Sequence, residues 1–169
     1  MVRRALSNIQ KRRLAQRGHR WVQTIKRING TGNLLSGDEA AAKYAEAMDS
    51  LHLLALALEH LDSCIKILNE AGVQFEGDSA FRAAWETISK LRDAREHEEE
   101  YIAGPGRFPD NVGPNWAANG YFESATFIWG TDGIDSVSFM GKVYTLRPAI
   151  TAALALEEAL SALWNPPVV

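Results

Sequence analysis

The run LHLLALALEHLDSCIKIL, residues 51–68, is the stretch that decides the fold. Its apolar residues recur every three or four positions, which places them on one face of an α-helix. The same repeat extends back through Tyr44 and Met48. The pattern predicts a long central helix that begins after Ser36-Gly37-Asp38 and ends at Gly72, with Asp49-Ser50 able to recap a second segment within it.

A second apolar stripe precedes this central helix. It is formed by Leu6, Ile9, Leu14, Trp21, Ile25 and Ile28. Ser7 is a suitable N-cap for the helix that this stripe predicts, and Asn29-Gly30 is suited to end it. The first 30 residues are therefore predicted to form a basic amphipathic helix or arm.

Two further helices are predicted after the central one. The first is capped by Asp78 or Ser79 and runs from Phe81 to about Ile102, with Trp85 facing the interior. The second is opened by Pro148, because proline is tolerated in the first turn, and it is closed by Asn165-Pro166-Pro167.

The segment between these helices has a different composition. Residues 103–121 are dense in Gly, Pro and Asn, which predicts a long irregular loop. β-Branched and aromatic residues follow, with turn signals at Asp132-Gly133 and Gly141-Lys142. This pattern predicts a two- or three-stranded antiparallel meander.

The predicted fold is therefore mainly α, a four- to five-helix antiparallel bundle with a small antiparallel β-hairpin or meander inserted before the last helix. The chain of 169 residues is long enough for one domain. Within it we expect a bundle core over 38–102, the loop and hairpin over 103–146, and a C-terminal helix over 147–164.

Charge is distributed unevenly along the chain. Residues 1–37 contain nine basic residues and no acidic one, whereas the remainder contains nine basic residues and all 21 acidic residues, a net charge of −12. A basic arm joined to an acidic body indicates interaction with nucleic acid, with a protein partner or with a second copy.

Cysteine content and hydropathy restrict the class of protein. Cys64 is the single cysteine, so an internal disulfide is excluded, and its apolar helical setting favours core packing. No apolar run approaches the roughly 20 residues that a membrane span needs. We expect a cytoplasmic protein without a signal peptide and without a membrane partner.

The stretch LRDAREHEEEY, residues 91–101, carries the candidate chemistry. Arg92 is followed directly by the polar Asp93, and His97 lies four residues after Asp93. A guanidinium group fits a phosphate through its planar donor fork, and an imidazole titrates near neutral pH, where proton transfer is most useful.

This arrangement resembles the signature of the HEPN superfamily, all-helical and often two-fold dimeric proteins of which many are metal-independent ribonucleases. The resemblance covers about 38–102. It implies that Arg92 binds and polarises the scissile phosphate, that His97 acts as general acid–base, and that Asp93 fills the polar position. It also implies a homodimer that requires neither a metal nor a cofactor.

A straight helix would not bring this pair together. Five residues at 100° each separate Arg92 from His97 by roughly 140° around the axis, so a working site needs a distorted helix or a second subunit. The alternative interpretation is a solvated helix end, in which Arg92–Glu96 and Arg95–Glu99 are ion pairs four residues apart.

The basic first helix is the second candidate site. Cationic residues that neutralise phosphates supply most non-specific affinity for nucleic acid, and an aromatic residue could stack on a base. The candidate RNA-binding residues are Arg12, Arg13, Arg17, Arg20, Trp21, Lys26 and Arg27. The same bases could instead pair with an acidic protein partner or inhibitor or with a second copy, or they could form a plain solvated face.

Other patterns favour structural roles. His60 and Cys64 share a helix face beside Glu59, but no second cluster completes a metal site, so we expect buried structural residues. His52 is expected to be a core histidine. The aromatic residues around the loop and hairpin either close the core or form a contact surface; they are Trp116, Tyr121, Phe122, Phe127 and Trp129.

Two functions follow from these features. The first is a HEPN-like ribonuclease, a toxin or defence effector that cleaves RNA with Arg92 and His97 at a dimer interface. The second is a non-catalytic α-helical interaction or scaffold protein that binds protein partners through its basic first helix and its hairpin.

Overall fold

Two long helices, α1 (Asn8–Gly30) and α2 (Ala40–Glu70), pack along each other and form the frame of the protein. The computed structural model describes residues 5–30, 40–103, 108–113 and 125–165. The remaining elements are α3 (Asp78–Ala83), α4 (Trp85–Glu96), α5 (Glu98–Ala103), a 3₁₀ turn (Pro109–Asn111), β1 (Thr126–Gly130), β2 (Gly133–Phe139), β3 (Lys142–Thr145), α6 (Arg147–Ala155) and α7 (Glu157–Trp164).

This architecture confirms the predicted fold class, a mainly helical bundle with a small antiparallel sheet before the last helical segments. α1 packs on α2, α6 and α7, while α4 packs on α2 and α3 packs on α6. No helix in the described ranges has the length and apolarity required to cross a bilayer.

Helix α1 begins where the sequence predicts. Ser7 Oγ accepts a hydrogen bond from the backbone N–H of Gln10 at 3.3 Å, and Gln10 Oε1 accepts one from the backbone N–H of Ser7 at 2.9 Å. This reciprocal capping box satisfies two backbone donors that the first helical turn leaves without partners. Ser7 is thus confirmed as a cap.

Helix α2 is the centre of the core. It is continuous from Ala40 to Glu70, so the recapped segment considered at Asp49-Ser50 is absent; its apolar seam runs through that point without interruption. The seam buries Met48, Leu51, Leu54, Leu58, Leu61, Ile65 and Leu68. The predicted start at Ser36-Gly37-Asp38 and the side chain of Tyr44 lie outside the described residues.

The predicted third helix is divided into three segments, and it starts earlier than expected. α3 begins at Asp78, and its N-cap is Gly77 in the left-handed conformation (φ 92°), with no side-chain cap. The prediction that Asp78 or Ser79 caps this helix is therefore wrong, because glycine adopts a positive φ at no steric cost. The helix is interrupted at Ala84 and again at His97.

The last predicted helix is also interrupted. α6 begins at Arg147 with Pro148 in its first turn, and Leu156 separates it from α7. The proline position agrees with the prediction. Pro166 and Pro167 lie outside the described residues.

The meander has three antiparallel strands in the order β1-β2-β3. Phe127, Val137 and Tyr144 are aligned across it and face the core, where Val137 and Tyr144 are buried. Ile128 and Val143 lie on the opposite face and are exposed. β1 and β3 show the period-two alternation of a sheet with one face on the core, whereas β2 between them buries the adjacent residues Ser136 and Val137.

The described part of the predicted irregular loop lies beside the sheet. Residues 108–113 contain the 3₁₀ turn, and the Tyr101 hydroxyl donates a hydrogen bond to the Phe108 carbonyl at 2.9 Å. The backbone N–H of Gly113 donates to the Met140 carbonyl at 2.8 Å, and the Tyr144 hydroxyl donates to the Asn111 carbonyl. These bonds attach the segment to α5 and to the end of the β2–β3 hairpin.

Candidate functional site

The Arg92 side chain on α4 is surrounded by carboxylates. Its Nη1 lies 3.0 Å from Glu59 Oε1 on α2, its Nη2 lies 2.8 Å from Asp93 Oδ1, and its Nε lies 3.4 Å from Glu96 Oε2. The side chain is 29% exposed. Each of its three nitrogens therefore faces an acidic partner.

These contacts affect the pKa and the availability of the Arg92 guanidinium. Partial burial acts to lower the pKa of Arg92, but the hydrogen bond to Asp93 and the carboxylates of Glu59 and Glu96 raise it overall. The guanidinium stays protonated, and a phosphate would compete with the carboxylates that accept hydrogen bonds from Nη1 and Nη2, while Nε makes no hydrogen bond. Asp93, predicted to fill the polar position, directly pairs with Arg92.

His97 lies at the break between α4 and α5. It is the C-cap of α4, with φ −112° and ψ 25°, and its backbone N–H donates to the Asp93 carbonyl at 3.1 Å. Its Nδ1 lies 3.1 Å from Glu100 Oε1. The chain thus departs from a straight helix at His97, although the Arg92 and His97 side chains pair with different carboxylates.

The ion pairs at the end of α4 agree in part with those expected for a solvated helix end. Arg92 contacts Glu96, four residues on, as that interpretation expects. Arg95 pairs instead with Glu98, its Nη1 lying 2.6 Å from Glu98 Oε2. The side chain of Glu99 lies outside the described residues.

The outward face of α1 presents exposed basic side chains. They are Arg12, Arg13, Arg17, Arg20, Lys26 and Arg27. Lys26 is paired, its Nζ lying 2.9 Å from Glu157 Oε2 on α7. The five arginines form no ion pair with any residue in the described part of the chain.

Trp21 lies one helical turn after Arg17 on α1, but its side chain packs toward α2. It is half-buried and packs against the core, and its ring stacks on His60 of α2 with centroids 4.8 Å apart at 25°. The stacking surface that the sequence offered to a nucleobase is occupied within the protein. Trp21 instead joins α1 to α2.

Helix α1 is joined to α7 through Glu157. Its carboxylate accepts hydrogen bonds from Lys26 Nζ and from Gln23 Nε2, the latter at 2.6 Å. These two hydrogen bonds lower the pKa of Glu157, first that from Lys26 and then that from Gln23. The ionised carboxylate therefore stabilises the packing of α7 on α1.

We expect this contact to make stability depend on pH. Because the pKa of Glu157 is lowered on folding from its ordinary value of 4.5, its contribution is present above that value and is lost as the pH falls through the lower, folded pKa. Glu157→Gln should reduce the melting temperature slightly at pH 7 and leave a smaller difference from wild type at pH 3. Thermal unfolding followed by circular dichroism measures this. An equal difference at both pH values would contradict it.

The other candidate residues are Cys64, His52 and possible metal ligands. Cys64 is buried, as predicted, and burial raises the pKa of its thiol. His52 is exposed, so the prediction of a core histidine is wrong; it falls outside the apolar seam although leucines neighbour it in sequence. Among the described residues no group of three His, Cys, Asp or Glu side chains could hold a metal ion.

The aromatic residues of the hairpin are only partly described. Phe127 and Trp129 are half-buried and pack against the core, with their ring centroids 6.0 Å apart. Trp116, Tyr121 and Phe122 lie outside the described residues. The two described rings support the core-closing interpretation while leaving part of Trp129 accessible.

The sequence did not indicate the partners of these charged residues. Glu59 reaches Arg92 across 33 positions, and Glu157 reaches Lys26 across 131 positions. Neither contact has a local spacing signal.

No protein-family model matches this chain, and neither does any curated protein or solved structure.

Proposed function

We propose that this chain binds RNA through the exposed arginines of α1. The observation that carries the proposal is a row formed by Arg13, Arg20 and Arg27, which we call the arginine row. All three side chains are exposed and form no ion pair within the described residues, and α1 contains no acidic residue. The cationic surface is therefore available to an external anion.

The spacing of the row suits a polyanion. Residues seven apart differ by only about 20° around a helix and lie about 10.5 Å apart along it. The three guanidinium groups thus project from one line about 21 Å long, opposite the buried face that contains Val22 and Ile25. Arg12 and Arg17 flank that line. Regularly spaced phosphates supply the matching charges.

Binding through phosphates predicts a specific dependence on salt. We expect the variant Arg13→Gln/Arg20→Gln/Arg27→Gln to bind a fluorescent single-stranded RNA about tenfold or more weakly than wild type. The slope of log K against log salt should fall in magnitude by about 2, since each phosphate neutralised on a single strand contributes about 0.7. Fluorescence anisotropy at several salt concentrations measures both quantities.

The control variant removes the same charge elsewhere. Lys66→Gln/Arg82→Gln/Lys90→Gln changes three basic residues of α2, α3 and α4, and it should retain the wild-type slope. Equal weakening by both triple variants would show only a general charge effect. If wild type binds no RNA but captures an acidic protein, the scaffold interpretation replaces this proposal.

A ribonuclease is the second candidate, and the break in the helix at His97 favours it. An Arg92–His97 pair on one chain requires a distorted helix, and α4 ends at His97, whose backbone N–H still bonds to the Asp93 carbonyl. In the HEPN-like form the enzyme would be a cytoplasmic, metal-independent toxin or defence effector that acts as a homodimer. Against this candidate, the Arg92 donors face Glu59, Asp93 and Glu96.

Cleavage of RNA tests this candidate directly. If His97 is the general acid–base, His97→Ala should reduce cleavage about 10²- to 10⁴-fold with the chelator EDTA present. His52→Ala, which removes an exposed histidine of α2, is the matched control and should cleave like wild type. Gel analysis of labelled RNA measures the rate. Absence of cleavage by wild type, or equal rates for all three proteins, would rule out the ribonuclease.

A further inference from the structure

A cleft lies between the last turn of α1 and the turn that joins β1 to β2. Its volume is about 390 Å³, near the lower end of the range of about 300–1,000 Å³ that is usual for small-molecule sites. Its walls are formed by Lys26, Asn29, Trp129, Thr131, Asp132 and three glycines. The cleft thus combines one large aromatic ring with several polar groups.

The walls of this cleft are held by specific hydrogen bonds. Asn29 Oδ1 accepts a hydrogen bond from the backbone N–H of Ile134 at 2.8 Å, and Asn29 Nδ2 donates one to the Asp132 carbonyl at 3.1 Å. Gly133 has φ 113°, and a Cβ atom there would overlap the Asn29 side chain. The helix end and the hairpin turn are therefore fixed relative to each other, which keeps the cleft open.

The cleft adjoins one end of the arginine row. Lys26 lines the cleft, and the next residue, Arg27, is the last member of the row. Lys26 and Arg27 point about 100° apart around α1, so a strand on the row must bend partly around the helix to place a base in the cleft. Trp129 is half-buried on β1, and it packs against Phe127 while also lining the cleft.

We propose that this cleft binds one unpaired nucleobase of a single-stranded RNA, stacked on Trp129, while the backbone lies along the arginine row. The inference rests on the proposed RNA binding and specifies its substrate class. Every base has a π-face, so stacking on an aromatic ring tolerates any sequence. The Thr131 hydroxyl and the exposed Asp132 carboxylate at the rim provide hydrogen-bonding groups for the base edge.

This arrangement discriminates between single strands and duplexes. A base within a duplex is stacked and paired, so it would have to leave the helix before it could enter the cleft. The arginine row contacts phosphates, which both forms present. The protein should therefore bind a single strand more tightly than a duplex, and the difference should depend on Trp129.

The test compares three labelled probes by fluorescence anisotropy. They are a 12-nucleotide single-stranded RNA, its blunt duplex and a strand of equal length that lacks bases. Trp129→Leu should weaken single-strand binding about five- to hundredfold, the range for loss of one stacked base. It should leave the affinities for the duplex and for the strand without bases unchanged. Trp129→Phe, which retains an aromatic ring, should restore most of the affinity.

A control variant and the arginine-row variant keep this inference separate from the proposed function. Trp85→Leu removes a half-buried tryptophan from α4 and should bind all probes like wild type. If Trp129→Leu binds the single strand as tightly as wild type while the arginine-row variant does not, the cleft proposal fails and RNA binding stands. If the arginine-row variant also binds normally, RNA binding by α1 itself fails. Equal wild-type affinity for the strands with and without bases would overturn the cleft proposal without any substitution.

Discussion

Replacing Leu61 with alanine is expected to lower the free energy of unfolding by about 2–5 kcal/mol, the range for truncating a fully buried leucine. Leu61 is 0% exposed and lies on the seam of α2, the helix that packs against α1 and α4. The substitution removes apolar burial and leaves a cavity that rigid neighbouring helices fill only partly. A loss of this size is a large share of the stability of about 5–15 kcal/mol that is usual for a domain.

Urea denaturation followed by circular dichroism measures this loss. Leu56→Ala is the matched control, because Leu56 belongs to the same helix and is only half-buried, so we expect a cost of about 1 kcal/mol. Both variants replace a leucine of α2 with alanine, so the change in helix propensity is the same. A difference between their losses of stability therefore reports burial. Similar losses at both positions would show that α2 does not have its buried seam on the Leu61 face.

Replacing Gly113 with alanine is expected to cost about 2–3 kcal/mol, within the range for forcing extra volume into a packed site. A Cβ atom on Gly113 would overlap the backbone carbonyl of Gly141, which cannot rotate away as a flexible side chain would. The strain would also weaken the hydrogen bond from the Gly113 N–H to the Met140 carbonyl. The segment 108–113 would then separate from the β2–β3 hairpin.

The melting temperature of the Gly113→Ala variant measures this cost, and Gly30→Ala is its control. A Cβ atom on Gly30 meets no described atom within 4 Å, and its φ is not in the left-handed region. We therefore expect the Gly30 variant to be as stable as wild type or slightly more stable. An unchanged melting temperature for Gly113→Ala would mean that the segment does not pack on Gly141.

The charged residues of this protein divide into two surfaces with different properties. On α4, the Arg92 guanidinium is neutralised by carboxylates from two helices, so its charge contributes to packing of α4 on α2. On α1, the arginine row has no acidic partner within the described residues. An external anion therefore gains more binding free energy at the arginine row than at Arg92, because it displaces no existing ion pair there.

The sequence was most informative where structure depends on near neighbours. The three-to-four repeat located α1 and α2, Ser7 was identified as a cap, and the turn signals located both hairpin turns of the sheet. The sequence was less informative about where the helices are interrupted. The breaks at Ala84, His97 and Leu156 lie within segments whose apolar periodicity continues, so periodicity alone predicted uninterrupted helices.

The candidate site shows the same division. Arg92, Asp93 and His97 could be selected as chemically capable residues, and the exposed arginines of α1 follow from its helical periodicity. Only the tertiary structure placed Glu59 against Arg92, stacked Trp21 on His60, and set Trp129 beside Lys26. Helices, caps and turns arise from residues a few positions apart, whereas these contacts join distant segments, and their formation depends on how the whole core packs.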